Sequence, residues 1–227
     1  MNQIFFTMLF FIFFAGTASA VCLPQDVLPA DGAWAKYDFI HTEPPRTRSG
    51  TLLFRMVGTT TRDGRECRWF EIEECVDKED SNKNTIIKFL VQAKELAEDA
   101  RGINVLSAWK RMGDNAITKL SDSERLYAQE SLLSMFFTSP SDSKTAKLKR
   151  VIRLPKSQLT IATATQGKMK FPGGFEGIKT VWGYMKVPFG FAAIDVSVKS
   201  GDKLVVKMQM TLKDFGTGAK SALPDQE

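Results

Sequence analysis

The run VWGYMKVPFGFAAIDVSV, from Val181 to Val198, is the longest stretch of β-forming and small residues in the chain after its leader. It breaks once, at Pro188-Phe189-Gly190. Proline fixes φ and removes a ladder donor, and glycine permits the backbone excursion beside it, so the break reads as a hairpin corner or a bulged edge. The first arm puts Trp182, Tyr184 and Lys186 on one face. The second puts Ala192, Ile194, Val196 and Val198 opposite Phe191, Ala193, Asp195 and Ser197.

Working outward, the same period of two recurs. Lys203 to Lys213 sets Leu204, Val206, Met208, Met210 and Leu212 against a mostly charged face, as in an antiparallel sheet wet on one side. Thr51 to Thr60 carries Leu52, Phe54 and Met56 on one side. Asp63-Gly64 favours a tight turn into a returning strand, Glu66 to Glu73. Gly32 through His41, Thr85 to Val91, Lys147 to Leu154 and Gln158 to Thr165 read as further strands. Glu43 to Gly50 and Gly167 to Gly177 read as loops on their glycine and proline. Gln92 to Ala100 and Ile103 to Met112 have helical composition, and Ser121-x-x-Glu124 forms a capping box before a helix expected from Asp122 to Phe136. Strands, a central helical block packed on one face of an antiparallel sheet, then strands again predict an α+β fold.

Residues 1–20 read as a signal peptide. An uncharged, phenylalanine-rich run from Ile4 to Gly16 precedes Ala18-Ser19-Ala20, the small residues a signal peptidase requires. Residues 21–227 then form one domain, exported to a periplasmic or extracellular space and not transmembrane; Ser19-Ala20-Val21 is a poor acylation box before Cys22. The net charge of +5 belongs to this domain, and its plainer reading is solubility. Three cysteines leave the pairing open. If Cys67 to Cys75 is one continuous strand their sulfurs stand about 27 Å apart and cannot bond; a turn near Glu74, a bond from either to Cys22, or three free thiols are the alternatives.

Catalytic sets are missing from the sequence. His41 is the single histidine, so any Ser–His or Cys–His mechanism requires it, and its plainer reading is an ordinary strand-end residue. Glu71 and Glu73 share a strand face, which reads as a solvated edge rather than a carboxylate pair. Gly216-Thr-Gly-Ala-Lys-Ser221 fails the spacing of a phosphate loop. No enzyme activity, cofactor or metal is expected. Lys147, Lys149 and Arg153 fall on one face of an extended strand and would meet an anionic membrane surface, while the aromatics that nucleic-acid binding requires are not interleaved there. Trp182, Tyr184, Met185 and Phe189 would form the apolar wall of a ligand site if the sheet curls.

Four motifs carry a resemblance: Gly32-x-Trp34-x-x-Tyr37, Cys67-Arg68-Trp69-x-Glu71, Val187-Pro188-Phe189-Gly190, and Gly216-Thr-Gly-Ala-Lys-Ser221 with Ala222-Leu223-Pro224. They resemble a family of uncharacterised exported bacterial proteins, and that resemblance brings no activity with it. More distantly, the order of elements and the Trp182 to Gly190 corner are similar to periplasmic lipoprotein carriers of the Lol type, which implies a curved half-barrel covered by helices around acyl chains. The expected function is a non-enzymatic exported carrier of an acyl chain, lipid or lipidated partner. The alternative is a cell-envelope structural or protein-interaction module with a solid core.

Overall fold

The computed structural model describes residues 29–76, 84–93, 105–129, 133–137, 141–171 and 175–224. Thirteen strands follow in order: β1 (Trp34–Glu43), β2 (Arg46–Arg62), β3 (Arg65–Val76), β4 (Thr85–Gln92), β5 (Val105–Met112), β6 (Thr118–Lys119), β7 (Ser141–Ala146), β8 (Arg150–Leu154), β9 (Ser157–Ile161), β10 (Ala164–Phe171), β11 (Phe175–Gly183), β12 (Phe191–Ser200) and β13 (Lys203–Gly216). Among the described residues, two short helical pieces, α1 (Asp122–Ala128) and α2 (Ser134–Phe137), lie between β6 and β7.

Eleven strands form one antiparallel sheet in the order β6-β5-β4-β3-β2-β1-β13-β12-β11-β10-β7, and β8-β9 is a separate hairpin. The sheet is thus two meanders joined where β1 pairs with β13. The alternation seen in the sequence sets its sides. Tyr37 and Phe39 of β1, Leu52 and Phe54 of β2, and Met210 and Leu212 of β13 are buried on the face that α1 and α2 cover. Asp63 (φ 51°) and Gly64 (φ 73°) make the two-residue β2-β3 turn, and Arg62 pairs with Arg65 across it. Both turn residues at positive φ match the right-handed strand twist.

The expected central helical block is overturned. Among the described residues 67% are in strands and 7% are helical, giving an open curved antiparallel sheet rather than an α+β layer pair. Val105–Met112, expected as helix, is β5, laid on β4 with Phe89 opposite Ala108 and Lys88 opposite Trp109. Pairing to a strand buried on both faces outweighs the weak helical preference of Leu, Ala, Lys, Arg and Met. Gln92 ends β4, and residues 94–104, which hold most of the other expected helix, lie outside the described residues. The capping box is real: Glu124 N–H reaches Ser121 Oγ at 3.4 Å and Ser121 N–H reaches the Glu124 carboxylate at 2.9 Å. The expected helix from Asp122 to Phe136 is described in two pieces, α1 and α2, and residues 130–132 between them lie outside the described residues.

The expected loop from Gly167 to Gly177 is mostly strand, with β10 and β11 paired from Thr165↔Val181 to Phe171↔Phe175. The first arm of the 181–198 run stops at Gly183, and a turn over residues 184–190 returns the chain to β12. Gly190 sits at φ 76°, and Tyr184 N–H donates to its carbonyl at 2.9 Å, so the hairpin-corner reading holds. β3 runs unbroken through Cys67 and Cys75, and both are free thiols; Cys22 lies outside the described residues.

Candidate functional site

On the helix-bearing face an aromatic layer forms around Phe54. Its ring lies 5.0 Å from Phe136, 5.6 Å from Phe189 and 6.2 Å from Phe191, measured between centroids. Tyr37 stacks on Phe191 at 5.0 Å and its hydroxyl donates to the Phe191 carbonyl at 3.1 Å. Phe54, Tyr37 and Phe191 stand on strands. Phe136 and Phe137 come from the four-residue α2, and Phe189 from the 184–190 loop. The cover of this face, where the described residues supply it, is built from short connecting pieces.

The four residues expected to share an apolar wall do not share one. Phe189 is in the aromatic layer, and Tyr184 is partly buried against the same core. Met185 is 65% exposed at the tip of the turn. Trp182 points to the other face, where its indole N–H donates to the Leu148 carbonyl at 2.8 Å and the Arg150 guanidinium lies 4.6 Å over its ring. Arg150 also holds Asp195 of β12 at 2.9 Å and Thr211 of β13 at 2.8 Å, fastening the β8-β9 hairpin over β11 to β13. Lys147, Lys149 and Arg153 are all exposed on this hairpin and the segment leading into it, and Ile152 between them is buried.

One correction concerns Glu71. It is not on a solvated edge: β3 is an interior strand, and Glu71 is fully buried. Its two oxygens accept from four groups: Ala222 N–H at 3.0 Å, Leu223 N–H at 3.2 Å, Arg55 Nη1 at 3.3 Å and the Ser221 hydroxyl. A carboxylate has about four lone-pair positions, so its valence is filled. Lys88, directly opposite on β4 and also buried, donates to Ser221 Oγ and the Leu223 carbonyl, each at 3.0 Å, and faces the Trp69 ring at 4.8 Å. Leu223 is fully buried in a second core that includes Trp69 and Trp109.

The chain is led there from β13 by two contacts. Trp34 Nε1 donates to the Thr217 carbonyl at 3.2 Å, and Ala219 N–H donates to the Gly32 carbonyl at 2.8 Å. Gly216 lies under the Trp34 indole, where an added Cβ would stand about 3.0 Å from the ring. Three of the four sequence motifs therefore meet in one structure, the docked segment 217–224 on the face away from the helices.

Sequence reasoning also passed over Lys179. It lies on the helix-bearing face, 1% exposed, with its ammonium donating to the Phe136 carbonyl at 3.4 Å. Burial lowers it to about 7. His41, the one histidine, accepts from Arg48 Nε at Nδ1 at 3.3 Å, and burial followed by the Arg48 charge lowers its pKa. Among the described residues no group of three His, Cys, Asp or Glu side chains is placed to hold a metal, and no helix is long and apolar enough to cross a membrane.

No family model and no curated protein matches this chain. Solved structures do. A DUF1329 family protein from Desulfovibrio piger has a TM-score of 0.38 and 10% identity, covering 89% of this chain and 91% of its own. A LolA superfamily protein from Nitrosomonas europaea has a TM-score of 0.34 and 10% identity, covering 92% of this chain and 96% of its own.

Proposed function

We propose that this protein is a non-enzymatic exported carrier that holds an acyl chain, lipid or lipidated partner against the helix-bearing face of its sheet. The observation that supports the reading is the make-up of that cover: Phe136, Phe137 and Phe189 pack on Phe54 from a four-residue helix and a loop. Lifting three such rings costs roughly 2–3 kcal/mol each in apolar burial, while a chain of about fourteen methylenes contributes near 0.8 kcal/mol apiece. The exchange is favourable by a small margin, as reversible loading requires. Phe189 and Tyr184 then stand where an inserted chain would lie.

Native mass spectrometry of the full exported protein, followed by organic extraction, tests this. An adduct of acyl-chain mass, or uptake of added fatty acid or phospholipid, is the expected result. A clean apo mass with no uptake sinks the carrier and leaves the rival, an envelope interaction module with a solid core. That rival is favoured by Phe189 and Trp182 being only 2% and 6% exposed.

The exposed Lys147, Lys149 and Arg153 are proposed to meet an anionic lipid surface. Each basic residue near such a surface contributes about 1 kcal/mol, so the triple variant Lys147→Glu, Lys149→Glu, Arg153→Glu is expected to lose on the order of a hundredfold or more in vesicle affinity. Co-sedimentation with phosphatidylglycerol vesicles at low salt reads this out, with phosphatidylcholine vesicles as the neutral control. Equal sedimentation of the wild type with both vesicles removes the assignment.

A further inference from the structure

The outer face of β3 to β5 reads the backbone of an extended chain. Glu71 accepts from two successive amides, Ala222 at 3.0 Å and Leu223 at 3.2 Å, and Lys88 beside it donates to the Leu223 carbonyl at 3.0 Å. Carboxylate and ammonium thus take the donors and the acceptor of one dipeptide, whatever its side chains. Two side chains are read as well. The Ser221 hydroxyl lies between Glu71 and Lys88, and Leu223 enters a socket with Trp69, Ile86, Leu90 and Trp109. The rest of the segment is held lightly. β13 ends at Gly216, residues 217–224 belong to no strand, and among them only Leu223 is buried. Thr217, Gly218, Lys220, Ser221 and Pro224 are exposed. A segment anchored by one apolar side chain opens at lower cost than the strands beneath it.

We propose that this face is a peptide-binding site that the chain's own segment 217–224 fills in cis, and that it accepts in trans an extended segment of a partner polypeptide carrying serine two residues before leucine. Main-chain hydrogen bonds supply affinity and a pocketed side chain supplies choice, the division of labour by which proteins recognise extended peptides. The resident segment states the partner's chemistry. The middle residue is small, because Ala222 packs against the same core, and the last is apolar, because its socket is aromatic and aliphatic. Being tethered, the resident segment competes at a high effective concentration, so a partner enters only as it lifts. The site lies on the face away from α1 and α2 and is independent of the carrier reading.

The test uses the full chain and a fluorescent synthetic peptide with the sequence of residues 216–227, GTGAKSALPDQE. Leu223→Asp empties the socket in cis, and this variant is expected to bind the peptide roughly tenfold or more tighter than the wild type by anisotropy. The same peptide with aspartate in place of leucine should not bind. Adding Glu71→Ala to Leu223→Asp should abolish binding. Native-state hydrogen exchange of the wild type gives a readout that no variant's folding can spoil. The amides of Ala222 and Leu223 are expected to exchange on the order of a hundredfold faster than those of β3. A folded Leu223→Asp protein that ignores the peptide, equal binding by wild type and variant, or exchange of the two amides in step with β3 each overturns the proposal.

Discussion

Glu71→Ala is expected to lower the melting temperature by roughly 6–20 °C. The substitution strips the acceptor from Arg55, Ser221 and the amides of Ala222 and Leu223, and leaves Lys88 buried beside a void. Removing one partner from a buried, hydrogen-bonded charge group costs about 3–5 kcal/mol, because the remaining groups cannot reach water. For a chain of this size each kcal/mol moves the transition by about 2–4 °C. Glu73→Ala is the control. Glu73 lies on the same face, bound to Arg55 and to Asn84 at 3.2 Å, but is partly exposed, so about 1 kcal/mol is expected there. Tryptophan fluorescence supplies a second readout, since releasing segment 217–224 uncovers Trp69 and Trp109. A Glu71→Ala protein that melts within a degree or two of wild type, with unshifted emission, would show that the segment is held by something other than this carboxylate.

Lys179→Met is expected to stabilise the protein, by on the order of several kcal/mol at pH 6, and to flatten part of its pH profile. Unfolded, a lysine titrates near its ordinary 10.5; folded, burial brings Lys179 to about 7. Between those values the unfolded chain holds a proton that the folded one has released, so wild-type stability climbs as pH rises from about 7 toward 10.5. Below about 7 both states are protonated, the slope vanishes, and the full penalty of a buried charge remains. Methionine carries no such penalty at any pH. Denaturant unfolding of both proteins at pH 6, 8 and 9.5 measures the difference. Lys110, half-buried and also lowered by burial, adds a slope of the same sign to both proteins, so it cancels in the comparison. Tyr37, raised well above 10 by burial, contributes with the opposite sign only at higher pH. An unchanged slope in the variant would mean that Lys179 is not the group setting it.

Much of the sheet was legible because its strands are wet on one side. β13 shows its period of two from Leu204 to Leu212, and Asp63-Gly64 announces its turn through the positive φ both residues adopt. β5 was illegible for the complementary reason. Its partner β4 is buried on both faces, so neither strand alternates, and Leu-Ser-Ala-Trp-Lys-Arg-Met carries a helical composition that only pairing overrides. Gly167 and Gly177 read as loop because glycine in a strand is costly, yet here they flank the buried Lys179 on its own face. Glu71 misled in the same way: an Arg-Trp-Phe-Glu-Ile-Glu-Glu strand looks solvated until a segment about 150 residues away is seen to lie across it. The motif residues stood out in the sequence. Their joint purpose, with Gly32, Trp34, Glu71 and the 216–224 segment forming one docking arrangement, depends on contacts that no local pattern encodes.

The seam between β1 and β13 has a consequence for how the chain comes to be folded. Each meander is built from neighbours in sequence and can zip up early, but Trp34 finds Gly216 only across nearly the whole length of the domain. Pairings of such separation are slow because the closure entropy is spent before any contact is returned. Until β13 is delivered, one side of β1 is an open strand edge, able to join the wrong chain. Among the described strands, the last in the chain is thus the one that seals the middle of the sheet. A chain cut short of β13 would be left as two half-sheets with adhesive borders, which makes delivery of β13, rather than formation of the early hairpins, the step at which folding commits.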